Sequence, residues 1–309
     1  MRRSRRTFFG LIFKKDLFVV PELPEVETLR RGLERAQLPG QRITRAIVAN
    51  TKALKKQSPA LFQERVTGSA IGPIERRGKY LLLRLLPCAG ATPTADMAAV
   101  SVAAPLFLCV HLKMRGQLLL EATRTPAGKY HCVTLELTGG RDLRFYDMWT
   151  WGEMRALTEA ELKQCTGVGA LGREPLEENW GAADLALVLQ GRKTAIKPTL
   201  LDQRVLAGVG NIYADESLYR AKIHPERPAG TLTAGERERL ADALRSVLVE
   251  AVGGGGTTSD NYVDVDGAPG AYAPRVYERG GQPCHSCGTP LTRIRLGGRG
   301  TVFCARCQV

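Results

Sequence analysis

The chain has no apolar run approaching the ~18 residues that a membrane-spanning helix needs, which argues against a helical membrane protein. It has no segment that recurs every 20 to 50 residues, so solenoids and propellers are excluded. Its basic start and the short apolar stretch 8–13 run into Lys14, Lys15 and Asp16 with no small-residue cleavage site, which makes a poor secretory signal. Acidic residues are scarce: 31 Asp and Glu face 44 Lys and Arg, giving a net charge of +13 over 309 residues. Such an excess favours a polyanionic partner, and most of it lies beyond the first twenty residues.

What is present is ordinary for a folded protein of two or three domains, with 44% hydrophobic and 24% charged residues. Eight cysteines do not read as a disulfide scaffold, because four fall in two CxxC pairs while Cys88, Cys109, Cys132 and Cys165 are scattered among apolar residues. That usage fits metal binding in a reducing cytosol.

A short amphipathic helix is expected over 28–36, where Leu29 and Leu33 recur four apart. Short β-rich segments follow at 43–48, 80–86, 106–111, 117–121, 133–137 and 143–146, bounded by Gly and Pro, and predict an antiparallel sandwich or barrel. The Ala- and Pro-containing stretch 87–105 reads as a surface insertion. Beyond Gly152 the pattern becomes helical, at 158–164, 180–189, 196–206, 211–220 and 233–252, and predicts a second domain.

The strongest single signal is Cys284-x-x-Cys287, sixteen residues, then Cys304-x-x-Cys307. Two such knuckles supply four thiolates for one tetrahedral Zn²⁺ on a β-hairpin, and four thiolates leave no open position, so the ion is structural. Between them, Arg293, Arg295 and Arg299 with Gly297, Gly298 and Gly300 make a basic tip suited to phosphate. A glycine turn, Gly208-Val209-Gly210-Asn211, sits between two helical stretches; its backbone N–H groups and the Asn211 side chain suit the same ligand.

The run Pro21-Glu22-Leu23-Pro24-Glu25-Val26-Glu27-Thr28 resembles the start of the formamidopyrimidine-DNA glycosylase family. The likeness continues in order through 76–80 (Arg-Arg-Gly-Lys-Tyr), 111–114 (His-Leu-Lys-Met), 193–198, the glycine turn with His224-Pro225, and the cysteine module. It implies an α+β, multidomain fold: an N-terminal antiparallel β-sandwich, a helix-two-turns-helix domain and a C-terminal zinc hairpin. The expected divisions are a leader at 1–20, a catalytic sandwich at 21–155, a hinge at 156–170, the DNA-binding helical domain at 171–256, a lesion-covering loop at 257–280 and the zinc module at 281–309.

The resemblance implies excision of oxidised purines from double-stranded DNA, followed by β,δ-elimination at the abasic site, by a cytoplasmic, nucleoid-associated bacterial protein acting as a monomer. Pro21 is implied as the nucleophile, Glu22 as proton shuttle, Lys79 as an aid to elimination, and Arg299 as a phosphate grip. An α-amino group, with a pKa near ~8, is far more available unprotonated at neutral pH than a lysine near ~10.4. Met114 matches the family's wedge. The next loop departs from the family pattern: Trp149 and Trp151 stand where an arginine and a phenylalanine are usual. His111, His131, Arg192, Lys193 and Lys197 are further candidates for phosphate contacts, alongside Asn211.

A free amine on Pro21 requires that residues 1–20 be removed or never made, and Val20 fits a GTG start codon immediately ahead of the proline. Two alternatives stay open: an endonuclease VIII-like enzyme for oxidised pyrimidines, and a noncatalytic zinc-containing protein that binds damaged DNA. A weaker idea, that the leader is a basic targeting peptide, predicts organellar import.

Overall fold

The structure, a computed structural model, describes residues 20–87, 105–258 and 262–309. The expectations for the leader at 1–19, for most of the insertion and for residues 259–261 lie outside the described residues.

Two four-stranded antiparallel sheets form the first domain. Helix α1 (Leu23–Arg35) precedes β1 (Ile43–Val48), and α2 (Pro59–Val66) precedes β2 (Ala70–Arg77) and β3 (Tyr80–Leu86). Strands β4 (Leu106–His111), β5 (Gly116–Ala122), β6 (His131–Leu137), β7 (Arg141–Asp147) and β8 (Glu153–Thr158) complete the sandwich. One sheet runs β2-β3-β4-β8 and the other β1-β6-β7-β5. Leu81, Leu83, Leu108 and Val110 of the first sheet face Val133, Leu135, Leu143 and Phe145 of the second across one apolar core.

Helix α3 (Glu159–Gln164) packs on β4 and β8, so the early part of the segment expected as a hinge is ordered structure of the sandwich. Its start is a capping box: Glu161 N donates to Thr158 Oγ1 and Thr158 N donates to Glu161 Oε2. The second domain contains α4 (Ala182–Leu189), α5 (Ile196–Leu201), α6 (Asn211–Ala221) and α7 (Ala234–Gly253). Thr233 and Glu236 form the same box at the head of α7, whose apolar face packs on α1, α4 and α6. The C-terminal hairpin is β9 (Thr292–Leu296) paired with β10 (Arg299–Phe303), and β10 lies against α6.

Helix α1 joins the two large cores. Val26, Leu29 and Leu33 enter the sandwich core, while Leu23, one turn earlier, enters the helical core. Its first turn is thereby fixed where the domains meet. Beyond α7, Tyr262 and Val265 enter the sandwich core, Tyr272 and Tyr277 pack against the helical core, and Val276 enters the small core of the cysteine module.

Candidate active site and zinc module

The head of α1 meets the glycine turn at the head of α6. Leu23 N donates to Gly208 O at 3.1 Å, and Gly208 has a φ of +88° with Leu23 packed where a Cβ would stand. Gln203 pins the turn, accepting from Gly208 N and donating to Val209 O. A Cβ on Gly210 would collide with both the Glu22 carboxyl and Lys79 Nζ, so a larger residue there would push this pair out of place.

Glu22 is 2% exposed. Its Oε1 accepts from Ile212 N at 3.1 Å, in the first turn of α6, while Oε2 has no partner among the described residues. Burial pushes its pKa up to about 7, against the opposing pull of Lys79. Burial likewise lowers the Lys79 pKa, with Glu22 and Glu25 opposing. Glu25 anchors the arrangement: it accepts from Glu22 N (2.9 Å), Tyr213 Oη (2.6 Å) and Thr257 N (2.8 Å). It lies within the Pro21–Thr28 run but was not singled out, because burial at a domain junction has no local signature.

Glu22 and Lys79 line a cavity of about 210 Å³ together with Val20, Asn211, Tyr277 and Arg299. Pro21 is buried beside it, bonded to Val20. Tyr277 is set by Glu216 of α6, whose carboxylate accepts from the N–H groups of Arg275, Val276 and Tyr277. Sequence reasoning missed both.

Lys79 follows a clamped turn. Glu174, at the start of the helical domain, pairs with Arg76 (2.5 Å) and Arg77 (3.2 Å) and accepts from Gly78 N. Arg76 also pairs with Glu27. Burial alone would raise the Glu27 pKa, yet Arg30, Arg31 and Arg76 hold it down at about 2.

His111 is buried in an edge-on contact with Tyr80, its Nδ1 accepting from Lys113 N at 2.9 Å. Burial, with Lys113 and Lys79 nearby, keeps its pKa well below the usual histidine value, so the ring is neutral at pH 7. With Lys79 and Lys113 it lines a neighbouring cavity of about 260 Å³. Met114 is half-buried in the β4–β5 turn.

Four candidates fall elsewhere. His131 bonds Thr134 and packs on Tyr146 on the second sheet. Arg192 and Lys193 are exposed on the α4–α5 turn, where Arg192 Nε donates to Val188 O. Lys197 is corrected: it is wholly buried, pairs with Asp215 at 2.7 Å and donates to Gly300 O and Thr301 Oγ1, so it is not available to a phosphate. Asn211 Nδ2 donates to the same Gly300 carbonyl. Together they seat the hairpin tip, and hence Arg299, against α5 and α6.

In the module itself the Cys284, Cys287, Cys304 and Cys307 sulfurs all lie within 4.8 Å of one another, with Cys287–Cys304 at 3.5 Å and Cys284–Cys307 at 4.0 Å. A tetrahedral zinc with bonds of ~2.3 Å separates its sulfurs by ~3.8 Å, so the four thiolates fit one structural zinc ion.

Comparison with known proteins agrees with this layout. The Formamidopyrimidine-DNA glycosylase N-terminal domain matches residues 20–154, the Formamidopyrimidine-DNA glycosylase H2TH domain 171–262, and the Zinc finger found in FPG and IleRS 281–309. Formamidopyrimidine-DNA glycosylase of Ligilactobacillus salivarius is 39% identical over 292 residues, covering 94% of this chain and 99% of that protein. Two structures of the Lactococcus lactis Fpg are each 30% identical with a TM-score of 0.80, covering 93% of this chain and 99% of theirs. One holds DNA with an abasic site, the other DNA with N7-benzyl-Fapy-dG. The chain belongs to the formamidopyrimidine-DNA glycosylase family.

Proposed function

We propose that the protein excises oxidised purines, 8-oxoguanine and formamidopyrimidines, from duplex DNA and then cleaves the strand at the abasic site, through an imine on Pro21. The observation that carries this reading is the Glu22 carboxyl held beside Lys79 in the cavity that Val20 and Arg299 also line.

The Pro21 nitrogen attacks C1′ of the damaged nucleotide, and the C1′–N bond breaks with its electron pair leaving on the base. The amine then loses its proton and the C1′–O4′ bond opens, its electron pair going to O4′, which takes up a proton; the secondary amine is left as a cationic iminium, an electron sink that acidifies C2′. Loss of a C2′ proton expels the 3′ phosphate, and a second elimination expels the 5′ phosphate. Glu22, with its pKa near the working pH, moves protons at the sugar. Lys79 assists elimination and Arg299 grips a phosphate. His111, Met114 and Asn211 serve the DNA side of the cleft, while Arg192, Lys193 and His131 contribute at most to its outer field. Zinc supplies no chemistry; it holds the hairpin that carries Arg299.

The active form begins at Pro21, because an amide nitrogen joined to Val20 is not nucleophilic. Residues 21–155, 171–256 and 281–309 act as catalytic, DNA-binding and zinc modules of a cytoplasmic, nucleoid-associated monomer. Borohydride trapping on 8-oxoguanine duplex tests this: a covalent adduct is expected from protein that begins at Pro21 and not from protein that retains Met1 to Val20. No adduct from either form would overturn the proline mechanism.

A further inference from the structure

Two of the cysteines outside the zinc set come together on the outer face of the first sheet. Cys109 of β4 is in register with Arg155 of β8, so their side chains stand side by side on one face, beneath α3. The Arg155 guanidinium donates to Cys165 Sγ at 3.0 Å, at the end of α3, so one cation neighbours both thiols. Cys109 is wholly buried with Tyr80, Leu82, Leu157 and Leu162. Cys165 is half-buried and lines a surface cavity of about 500 Å³ with Lys56, Arg65 and Arg155.

The two thiols differ in kind. Burial alone would raise the Cys165 pKa, yet the N–H groups of Gly167 and Val168 and the Arg155 guanidinium hold it below the ordinary thiol value. Burial pushes the Cys109 thiol well up. An accessible thiolate next to a sheltered thiol is the division that a reacting and a resolving cysteine need.

Cys165 also opens the segment that walls the cleft. Gly167 packs so closely on the Tyr80 hydroxyl that a Cβ there would overlap it, and Thr166, Gly167, Ala170 and Leu171 line the cavity shared by Lys79, His111 and Lys113. The far end of the segment is fixed, because Arg77 Nη2 donates to Leu171 O at 2.9 Å and to Gly172 O at 2.6 Å. Drawing Cys165 in towards β4 therefore pulls on a short tether whose other end is held, and the wall beside Lys79 shifts.

We propose that Cys109 and Cys165 are a peroxide-oxidised thiol pair whose disulfide deforms the wall at 166–171 and weakens the grip on DNA. The effect on DNA rests on the function proposed above; the bond itself does not. The Cys165 thiolate attacks one oxygen of hydrogen peroxide and the O–O bond breaks, giving a sulfenic acid and a hydroxide that leaves as water with the proton the thiol gave up. Cys109 then loses its proton and its sulfur attacks Cys165 Sγ; the S–O bond breaks, and hydroxide leaves with that proton as a second water. The two thiols are oxidised to one disulfide and the peroxide is reduced to water. The partial cover over Cys165 suits an oxidant as small as peroxide.

The test treats zinc-loaded protein that begins at Pro21 with hydrogen peroxide and maps its disulfides by peptide mass under non-reducing conditions. Zinc release and affinity for an abasic-analogue duplex are followed in parallel. The expected product is a peptide pair joined through Cys109 and Cys165, lighter by two hydrogens and formed before zinc is released. Affinity is expected to fall about fivefold or more and to return with dithiothreitol. C165S is expected to form no link and to keep its affinity at the same dose, and C109S to stop at a sulfenic acid on Cys165 that dimedone captures. C165S, changed at a half-buried position, carries the test if C109S fails to fold.

Treated protein in which Cys109 and Cys165 stay unlinked, a linked protein with unchanged affinity, or an equal loss in C165S would overturn the switch. Reduced protein that binds no duplex overturns the proposed activity and the effect on DNA with it, while the link is still read by mass.

Discussion

Lys197 Nζ lies 2.7 Å from Asp215 Oδ1, and both side chains are shut off from solvent. Lys197 also holds Gly300 O and Thr301 Oγ1, while Asp215 Oδ2 accepts from Val302 N at 3.1 Å. A pair buried beneath the α5–α6 turn therefore sets where the hairpin arginine stands. Removing one partner leaves the other charge buried alone, so D215N is expected to destabilise the fold by about 3–5 kcal/mol. The K197M/D215L double variant recovers part of that loss but leaves the hairpin backbone without its partners. Denaturant unfolding separates the two, and equal stability of D215N and wild type would refute the ion pair.

Glu22 makes a second prediction, in which the signs for stability and activity differ. Its folded pKa, about 7, stands above the ordinary value of 4.5, so the folded state binds this proton more tightly than the unfolded state does. The contribution is neutral below pH ~4.5 and grows destabilising as pH rises towards 7. E22Q, which cannot ionise, is therefore expected to be more stable than wild type at pH 8, by about 1–3 kcal/mol, with the difference vanishing near pH 4. Base excision is expected to fall by about 10²–10⁴-fold in the same variant, and the limb near pH 7 in the wild-type rate profile to disappear. Thermal unfolding and single-turnover rates across pH check both halves.

Gly210 is a geometric test of the same pair. A methyl group there would occupy the space of the Glu22 carboxyl and Lys79 Nζ. The φ of Gly210 is −130°, ordinary for any residue, so G210A acts through crowding and not through backbone strain. It is expected to cost about 1–3 kcal/mol in stability and to lower excision far more than it lowers affinity for an abasic-analogue duplex. Comparable losses in binding and excision would count against the placement of Glu22 and Lys79.

Six strands are visible in the sequence because their alternation or apolar runs are continuous, and all six expected spans match the strands or sit inside them. Strand β2 is hidden because Gly72 and Pro73 interrupt it between Ile71 and Ile74, where the pairing with β3 also shifts register. Strand β8 is hidden because Glu153 and Arg155 alternate with Met154 and Ala156 at the point where the pattern was expected to turn helical. At the site, the motif residues are readable as residue types in order. Burial is not: Lys193 and Lys197 look alike in the sequence, yet one is exposed and the other wholly enclosed, a distinction made by Asp215 and the hairpin docked on it. Glu25, Glu174 and Glu216 were passed over for the same reason, since each acts by holding backbone from a distant part of the chain.

Zinc removal gives the last prediction. The module's own core is small, formed by Tyr219, Val276, Leu291, Val302 and the buried cysteines, so it depends on the metal for its fold. The helical core is built from other residues, from Leu23 to Ala251, and the sandwich from a third set. Chelation, or C287S, is therefore expected to release segment 281–309 to proteolysis while leaving the two larger domains protected. Because Arg299 leaves the cavity with the hairpin, affinity for abasic-analogue duplex is expected to drop by about tenfold or more, and its salt dependence to become shallower as phosphate contacts are lost. Restoring Zn²⁺ to the chelated protein should reverse both effects, but not in C287S. A chelated protein that kept its full affinity and its resistance to protease would show that the hairpin is held by its docking on α6 and not by the ion.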